Sequence, residues 1–495
     1  MTLRDLLENG DPARVAFRTE GPQSLTYGDL LGQVDDLADQ LKKVGLGKGD
    51  RIALALPNGL EVIALFLAAA TVGTAAPLNP AYTRDEFRFY LEDTNAKALI
   101  VPPEGGLEAR AAASENILLI EAGRDSEGRV RLSPQGRVLA SQDSEVNDDT
   151  ALILHTSGTT SKPKRVPLSH TNLLTSARNV ASTYQLTTGD VSLCVMPLFH
   201  VHGLVASTLA TFSSGGTVVV PPKFNPLSFW NTVRQTGATW YSAVPTIHQV
   251  LLSRARATRP PGTEQLRFIR SCSAALSPQT MAEIETVFGV PILEAYGMTE
   301  AAHQMASNPL PPGPRKPGSV GRGTQVEIAI LDTHGGILPP GTTGEVSIKG
   351  LNVFSGYEGN AKANAESFSH GWFRTGDQGH LDTEGYLILS GRIKELINRG
   401  GEKISPREID EVLATHPAVS EAVCFGIPDR VYGEGVAAAV VLKAEATQKE
   451  LIAHCRASLS DFKCPTTIYI MESIPRTATG KIQRRNVAAA LAKNL

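Results

Sequence analysis

The sequence has 495 residues, of which 42% are apolar and 20% charged, with a formal charge of -3. Such a length suits roughly two to four domains or subdomains rather than one core, and the even charge balance excludes a nucleic-acid or membrane-surface argument. The five cysteines, Cys194, Cys272, Cys424, Cys455 and Cys464, are scattered without metal-type spacing and read as reduced thiols.

Asp5 and Glu8 fall where a signal peptide needs an unbroken apolar core, and no later window approaches ~18 consecutive apolar residues, so no integral membrane contact is expected. From Arg51 onward short apolar runs alternate with amphipathic stretches: a strand at 52–55, a helix at 59–72, a second helix-like segment and a strand at 98–101. A second series begins with a strand at 151–154 and continues with strands at 193–195, 218–220, 239–242, 268–269 and 292–294. Helices are predicted between them at 171–184, 246–254 and 278–288. This alternation predicts βαβ units and parallel sheets, arranged as two stacked, doubly wound α/β subdomains. The proline-rich stretch 309–323 ends the pattern and leads into short strands at 326–331 and 345–348, a small β subdomain ending near Gly391. Beyond Gly391 come a helix at 405–415, strands at 422–425 and 436–442, a helix at 448–459 and a strand at 468–471. The expected class is therefore α/β, with a large N-terminal domain over 1–391 and a small, mobile α+β domain over 392–495.

The densest chemical signal is Thr156-Ser157-Gly158-Thr159-Thr160-Ser161-Lys162-Pro163-Lys164, between an apolar strand and a helix. Hydroxyls, backbone N–H groups and lysines packed this closely suit a phosphate chain. The run lacks the second glycine and the Gly-Lys-[Ser/Thr] ending of a Walker A loop, and by itself it would pass for a flexible Ser/Thr loop. Three more runs follow predicted strands: Pro197 to Gly203 with His200 and His202, Ser271-Cys-Ser273-Ala274-Ala275, and Tyr296-Gly-Met-Thr299-Glu300. Ligands of an open parallel sheet bind beyond the carboxyl ends of its strands, so the four loops are expected to line one crevice.

These runs, together with Trp372-Phe-Arg-Thr-Gly-Asp377, the segment Gly391 to Pro406 and Pro475-Arg-Thr-Ala-Thr-Gly-Lys481, resemble the acyl-adenylate-forming superfamily. That superfamily includes acyl-CoA synthetases, luciferases and the adenylation domains of peptide synthetases, and the similarity spans nearly the whole chain. The resemblance implies ATP, Mg²⁺ and coenzyme A as cofactors and a small-molecule carboxylic acid as partner, with no nucleic acid, in a monomer or dimer. It assigns Lys481 to bridging the reacting oxygens and Glu300 to the metal. It places Thr156, Ser157, Gly158, Thr159, Thr160 and Lys164 on the phosphates, with Thr156 also catalytic. By the same resemblance Ser273, Ala274, Ala275, Glu294, Ala295, Tyr296 and Thr299 line the nucleotide, and Asp377 and Arg392 meet the ribose. Lys394 would be the hinge of the C-terminal domain, and Gly400 and Gly401 would admit the pantetheine arm. A turn or capping Asp, a core Tyr and turn glycines are the plain alternatives for Asp377, Tyr296 and the glycine pair.

Within the superfamily the chain is similar to the oxalate-CoA ligase branch of fungi and plants, which implies that His202, Ser271 and His303, with His200 nearby, hold the distal carboxylate of oxalate. A polar lining suits a small dicarboxylate, whereas a fatty or aromatic acid calls for an apolar one. A CoA ligase for another small, aliphatic or aromatic acid, and a stand-alone adenylation enzyme loading a carrier protein, stay open beside it. Ser161 and Arg165 stand where the commoner family loop has glycine, and Arg165 is expected to bring bulk and charge beside the phosphates. Lys493-Asn494-Leu495 shares only its last residue with a Ser-Lys-Leu address, leaving the cytoplasm and the peroxisomal matrix as expected locations.

Overall fold

A computed structural model describes residues 1–8, 11–19, 21, 23–135, 139, 149–156, 163–255, 258–476 and 482–492. These residues form four sheets. The first has seven strands in the order Val130–Gln135, Leu118–Arg124, Ala98–Val101, Arg51–Leu54, Thr74–Pro77, Thr150–Thr156, Lys164–Ser169. Its central strands run parallel, and an antiparallel pair closes each edge. The second has nine strands, with Val191–Cys194, Trp240–Ala243, Phe268–Ser271 and Ile292–Met298 lying parallel in that spatial order at its centre.

Between these sheets lies the helix Leu60–Val72, in which every residue except Glu61 and Thr71 is buried. A helix that is apolar all round can only be an interior one, and this one shares its core with Ile52 and Leu152 of the first sheet and Phe17 and Val218 of the second. The neighbouring helix Tyr27–Lys43 starts at a Thr26/Asp29 capping box and crosses the layers by a bond from the Tyr27 hydroxyl to the Gly216 carbonyl, 2.7 Å. The expected α/β class is thus present.

The strand expected to open the second series belongs instead to the first sheet. Thr150–Thr156 pairs with Thr74–Pro77, and the N-terminal strand Val15–Arg18 pairs with Thr217–Val219 of the second sheet. Local pattern marks a strand but not its partner, and an apolar strand settles wherever an open parallel edge buries both its faces. The exchange ties the two α/β units together.

A five-stranded β sheet follows, built on Gly344–Lys349 and the ten-residue strand Trp372–Leu381, which also pairs with Leu387–Arg392. The last sheet is built on Val419–Asp429 and Gly433–Leu442, covered by the helices Pro406–Ala414 and Gln448–Ser458. There Arg484 reaches Asp410 at 2.5 Å and Glu395 at 3.2 Å.

Phe66, wholly buried at the interface of the layers, supplies a direct check on this arrangement. Phe66→Ala should destabilise the N-terminal unit by about 3–5 kcal/mol, read as a lowered thermal midpoint, while the far-UV spectrum at low temperature stays unchanged.

Candidate active site

The central parallel strands of the second sheet end in the loops that carry most of the expected chemistry, and three buried polar clusters form there. The first surrounds Asp377, which is buried despite its charge. Its carboxylate accepts a hydrogen bond from the Tyr296 hydroxyl and pairs with Arg392 Nε at 2.7 Å. The pairing follows from register, since Asp377 and Arg392 face each other on adjacent antiparallel strands. Asp377 raises the basicity of Arg392, and burial followed by the same carboxylate pushes the Tyr296 phenol well above its ordinary range. A carboxylate held from two sides keeps acceptor capacity for the two hydroxyls of a ribose.

The second cluster centres on Glu300, on a single 3₁₀ turn, Thr299–Ala301. Its Oε1 accepts a bond from the Tyr357 hydroxyl at 2.8 Å, and Lys164 Nζ sits 4.1 Å from the centroid of the Tyr357 ring. The backbone around Glu300 is pinned by Phe354 N, which donates to the Glu300 carbonyl, and by buried Asn352, whose amide donates to Ala301 O and Gln304 O. Burial lowers the Lys164 ammonium below its usual range, with Glu300 opposing and Lys394 adding to the effect. No group of three or more His, Cys, Asp and Glu side chains able to hold a metal occurs among the described residues. One carboxylate is nevertheless what Mg²⁺ needs when phosphates and water complete its shell, so Glu300 fits that ion.

The third cluster is the pair His202 and His303, both buried, with ring centroids 5.1 Å apart. His202 begins a π-helix, His202–Leu209, a rare geometry frequent at functional sites. Its Nδ1 lies 3.0 Å from Ser273 Oγ and its Nε2 2.6 Å from Ser242 Oγ. Gly203 is obligatory there, because a Cβ would stand 2.5 Å from the Pro197 carbonyl oxygen. Ser273 and His303 both have positive φ, 73° and 115°, uncommon for residues other than glycine. His200 is half-buried, its Nδ1 accepting from His202 N at 3.2 Å.

Other expected residues fall in varied places. Ser271 is buried, its Oγ has no hydrogen-bond partner among the described residues, and strand alternation turns it to the face opposite Arg270. His202 bonds the hydroxyls of Ser273 and Ser242, and that of Ser271 is not among its partners. Glu294 is buried with Oε1 accepting from Leu276 N at 3.1 Å, and burial pushes its pKa up to about 7. Ala274 and Ala275 are exposed on their loop, while Ala295 and Thr299 are buried beside Tyr296 and Glu300. Thr156 faces Lys164 across the hairpin of the first sheet. Gly400 and Gly401, with φ of 60° and 98°, form the turn between the strands Ile397–Arg399 and Glu402–Ile404, a hairpin that by itself calls for glycine. Lys394 is exposed on the short turn Ile393–Glu395. Ser157, Gly158, Thr159, Thr160 and Lys481 lie outside the described residues.

Arg165 has carboxylate and carbonyl partners of its own. Its guanidinium turns to the Asp93 carbonyl and stands 3.6 Å from the Asp93 carboxylate and 3.8 Å from that of Glu358, and its φ is not positive. It fastens the Lys164 strand to the helix Arg84–Asp93. Tyr357 and Arg270 were not foreseen: the first is 57 residues from its partner Glu300, and the second sits in an apolar run whose only cue is a charge inside a strand.

The chain matches a family model described as AMP-binding enzyme over residues 8–358, and one described as AMP-binding enzyme C-terminal domain over residues 408–481. It belongs to the AMP-binding enzyme family. The oxalate–CoA ligase of Arabidopsis thaliana is 47% identical over 98% of this chain and 98% of its own, and that of Saccharomyces cerevisiae is 47% identical over 90% and 87%. Among solved structures, ATP-bound MatB from Rhodopseudomonas palustris superposes with a TM-score of 0.88 at 30% identity, covering 99% of each chain. The apo form of that protein gives 0.78. As a member of the family this chain is an AMP-forming acyl-CoA synthetase.

Two measurements probe the site of this AMP-binding enzyme. Tyr357→Phe removes the hydroxyl that orients Glu300, and the Mg²⁺ concentration for half-maximal adenylation should rise about ten-fold, with the thermal midpoint little changed. Glu294 has a folded-state value of about 7 against an ordinary 4.5, so the folded state holds its proton more tightly than the unfolded chain. The resulting stability is complete below pH 4.5 and falls away between 4.5 and 7, by on the order of 2–3 kcal/mol. Glu294→Gln should therefore raise the thermal midpoint at pH 8 and flatten its dependence across that window.

Proposed function

We propose that the acid is oxalate, activated as its adenylate and passed to coenzyme A to give oxalyl-CoA. The observation that carries this reading is the buried pair His202 and His303, set among the hydroxyls of Ser242 and Ser273 just past Glu300. An acyl chain or aromatic ring would desolvate those groups without replacing their hydrogen bonds, whereas a second carboxylate satisfies them. The 47% identity to two oxalate–CoA ligases supports the same acid.

ATP, Mg²⁺ and coenzyme A are the cofactors of this chemistry. A carboxylate is a poor acyl donor because its leaving group would be oxide. The acid's carboxylate oxygen therefore first attacks the α-phosphorus of ATP, forming acyl-AMP and expelling pyrophosphate, and the thiolate sulfur then attacks the acyl carbon and expels AMP. In the first step two anions approach, so the site must supply positive charge where the new bond forms. Lys481 is the cation assigned to that task, and Lys164 and Thr156 with the loop through Thr160 are assigned to the phosphates. Bound at Glu300, Mg²⁺ would neutralise phosphate charge. Asp377 takes the ribose hydroxyls while Arg392 holds its carboxylate, and Tyr296 lies against adenine. Rotation at Lys394 would then replace Lys481 by Gly400 and Gly401 at the crevice, admitting the thiol. No helix among the described residues is long and apolar enough to cross a membrane, and the cytoplasm and the peroxisomal matrix are the two locations proposed.

Acid-dependent pyrophosphate exchange across oxalate, malonate, acetate, octanoate and cinnamate decides the substrate. Oxalate should give the highest kcat/KM; strong exchange with octanoate and none with oxalate would remove the assignment.

A further inference from the structure

Arg270 holds an electrostatic position that the reaction described so far leaves unused. Its side chain is wholly buried in the strand Phe268–Ser271, and a guanidinium keeps its charge and only donates. Its four hydrogen bonds go to Tyr184 Oη at 2.8 Å, Ser242 Oγ at 3.0 Å, Gln304 Oε1 at 3.0 Å and His303 Nδ1 at 3.3 Å, every acceptor a neutral group. Among the described residues no Asp or Glu pairs with it. Arg267, three residues earlier and more exposed, is paired with Asp190 at 2.6 Å, and Arg484 with Asp410 at 2.5 Å. A buried cation without a counter-ion is costly to fold around, and it leaves a pocket in which an incoming anion meets uncompensated charge.

The fork of this arginine spans the two histidines. Ser242 Oγ, which accepts from Arg270 Nη1, is also 2.6 Å from His202 Nε2, and Nη2 reaches the ring of His303 directly. Because the guanidinium can only donate, Nδ1 of His303 must accept, and the ring proton resides on Nε2. Protonating Nδ1 would set two donors against each other across a 3.3 Å contact, so the ring stays neutral. The positive φ of His303 is consistent with a side chain held in place by its partners rather than by backbone preference.

We propose that Arg270 is the positioning residue of the acid pocket, supplying through His303 and Ser242 the positive field that selects a small acid with a second negative group. Its bond to Nδ1 presents His303 to that group as an Nε2–H donor. The inference rests on the proposed function for the class of acid, a small dianion, and on the hydrogen-bond pattern for the tautomer.

Two experiments test it. In wild-type enzyme labelled with ¹⁵N-histidine, the His303 signals, assigned by their loss in His303→Gln, should report a neutral Nε2–H ring across neutral pH. An Nδ1–H ring or an imidazolium overturns the proposal, and this readout needs neither an acid substrate nor an Arg270 variant that folds. Secondly, the ratio of kcat/KM for oxalate to that for acetate is measured within single preparations of wild type, Arg270→Met and Arg270→Lys, where any inactive fraction cancels. The ratio should fall on the order of ten-fold or more in Arg270→Met and recover in part in Arg270→Lys, with the KM for ATP unchanged in both. A ratio unmoved in Arg270→Met assigns Arg270 to folding alone and overturns the proposal. A wild type that turns over malonate but not oxalate sinks the oxalate assignment and leaves this one standing, tested with malonate in the ratio. A wild type preferring acetate to both dianions defeats the two together.

Discussion

Everything in this crevice depends on charge held away from water. Asp377, Glu300 and Arg270 are all buried at the carboxyl ends of neighbouring strands or on the sheet beside them, and each is kept tolerable by partners fixed elsewhere in the chain. Where water is excluded a single charge acts strongly on a neighbour, and leaving one unmatched costs several kcal/mol. The three are matched to different degrees. Asp377 has a full ion pair with Arg392, Glu300 has a phenol and a lysine close by, and Arg270 has only neutral acceptors. That gradient follows the tasks assigned to them. The ribose acceptor must be present and oriented before the nucleotide arrives, whereas a group that selects an anion gains by being left short of one.

Much of this was legible in the sequence because backbone patterning carries it. Apolar alternation gave the parallel strands that position the loops, and the glycine, serine and threonine runs after those strands marked where a ligand approaches. The motifs around Tyr296, Glu300 and Asp377 were likewise visible, and the structure brings Tyr296 and Asp377 into contact across 81 residues. What was hidden was long-range. Nothing near Thr150 reveals that its strand crosses to the first sheet, since the pairing Ala75 with Leu152 is set by which edge is open. Tyr357 has no local signature, being one aromatic residue in a glycine-bearing loop. Within Phe-Ile-Arg-Ser nothing marks the single charge of Arg270 as buried, and only the packing of Tyr184, Ser242 and Gln304 against it shows this.

Arg165 and the glycine pair show the converse error, in which a motif invites too local a reading. The arginine in the glycine position of the phosphate loop was expected to crowd the phosphates. Its guanidinium bonds the Asp93 carbonyl and stands near the carboxylates of Asp93 and Glu358, so its charge already has partners on neighbouring elements. Gly400 and Gly401 would be required by their turn whether or not coenzyme A passed over them. A residue type demanded by backbone geometry carries little information about ligands, and the evidence for that assignment must come from elsewhere.

The position of the Asp377–Arg392 pair bears on how one crevice could serve two half-reactions. Both partners belong to adjacent strands of the small β sheet, and both precede Lys394. A rotation at Lys394 would therefore leave the ribose acceptor and its arginine in place while moving everything beyond. Among the contacts such a rotation would break are Ser405 Oγ donating to Ser390 O and the field of Arg407 and Glu411 on buried Glu294. The hydrogen bond can be exchanged for water at small net cost. Arg407 lowers the Glu294 value and Glu411 raises it, Arg407 having the larger effect, so withdrawing the helix that carries both would leave Glu294 holding its proton more tightly. In the proposed two-step scheme, the ion pair of Asp377 with Arg392 thus lies on the side that a rotation at Lys394 would leave in place.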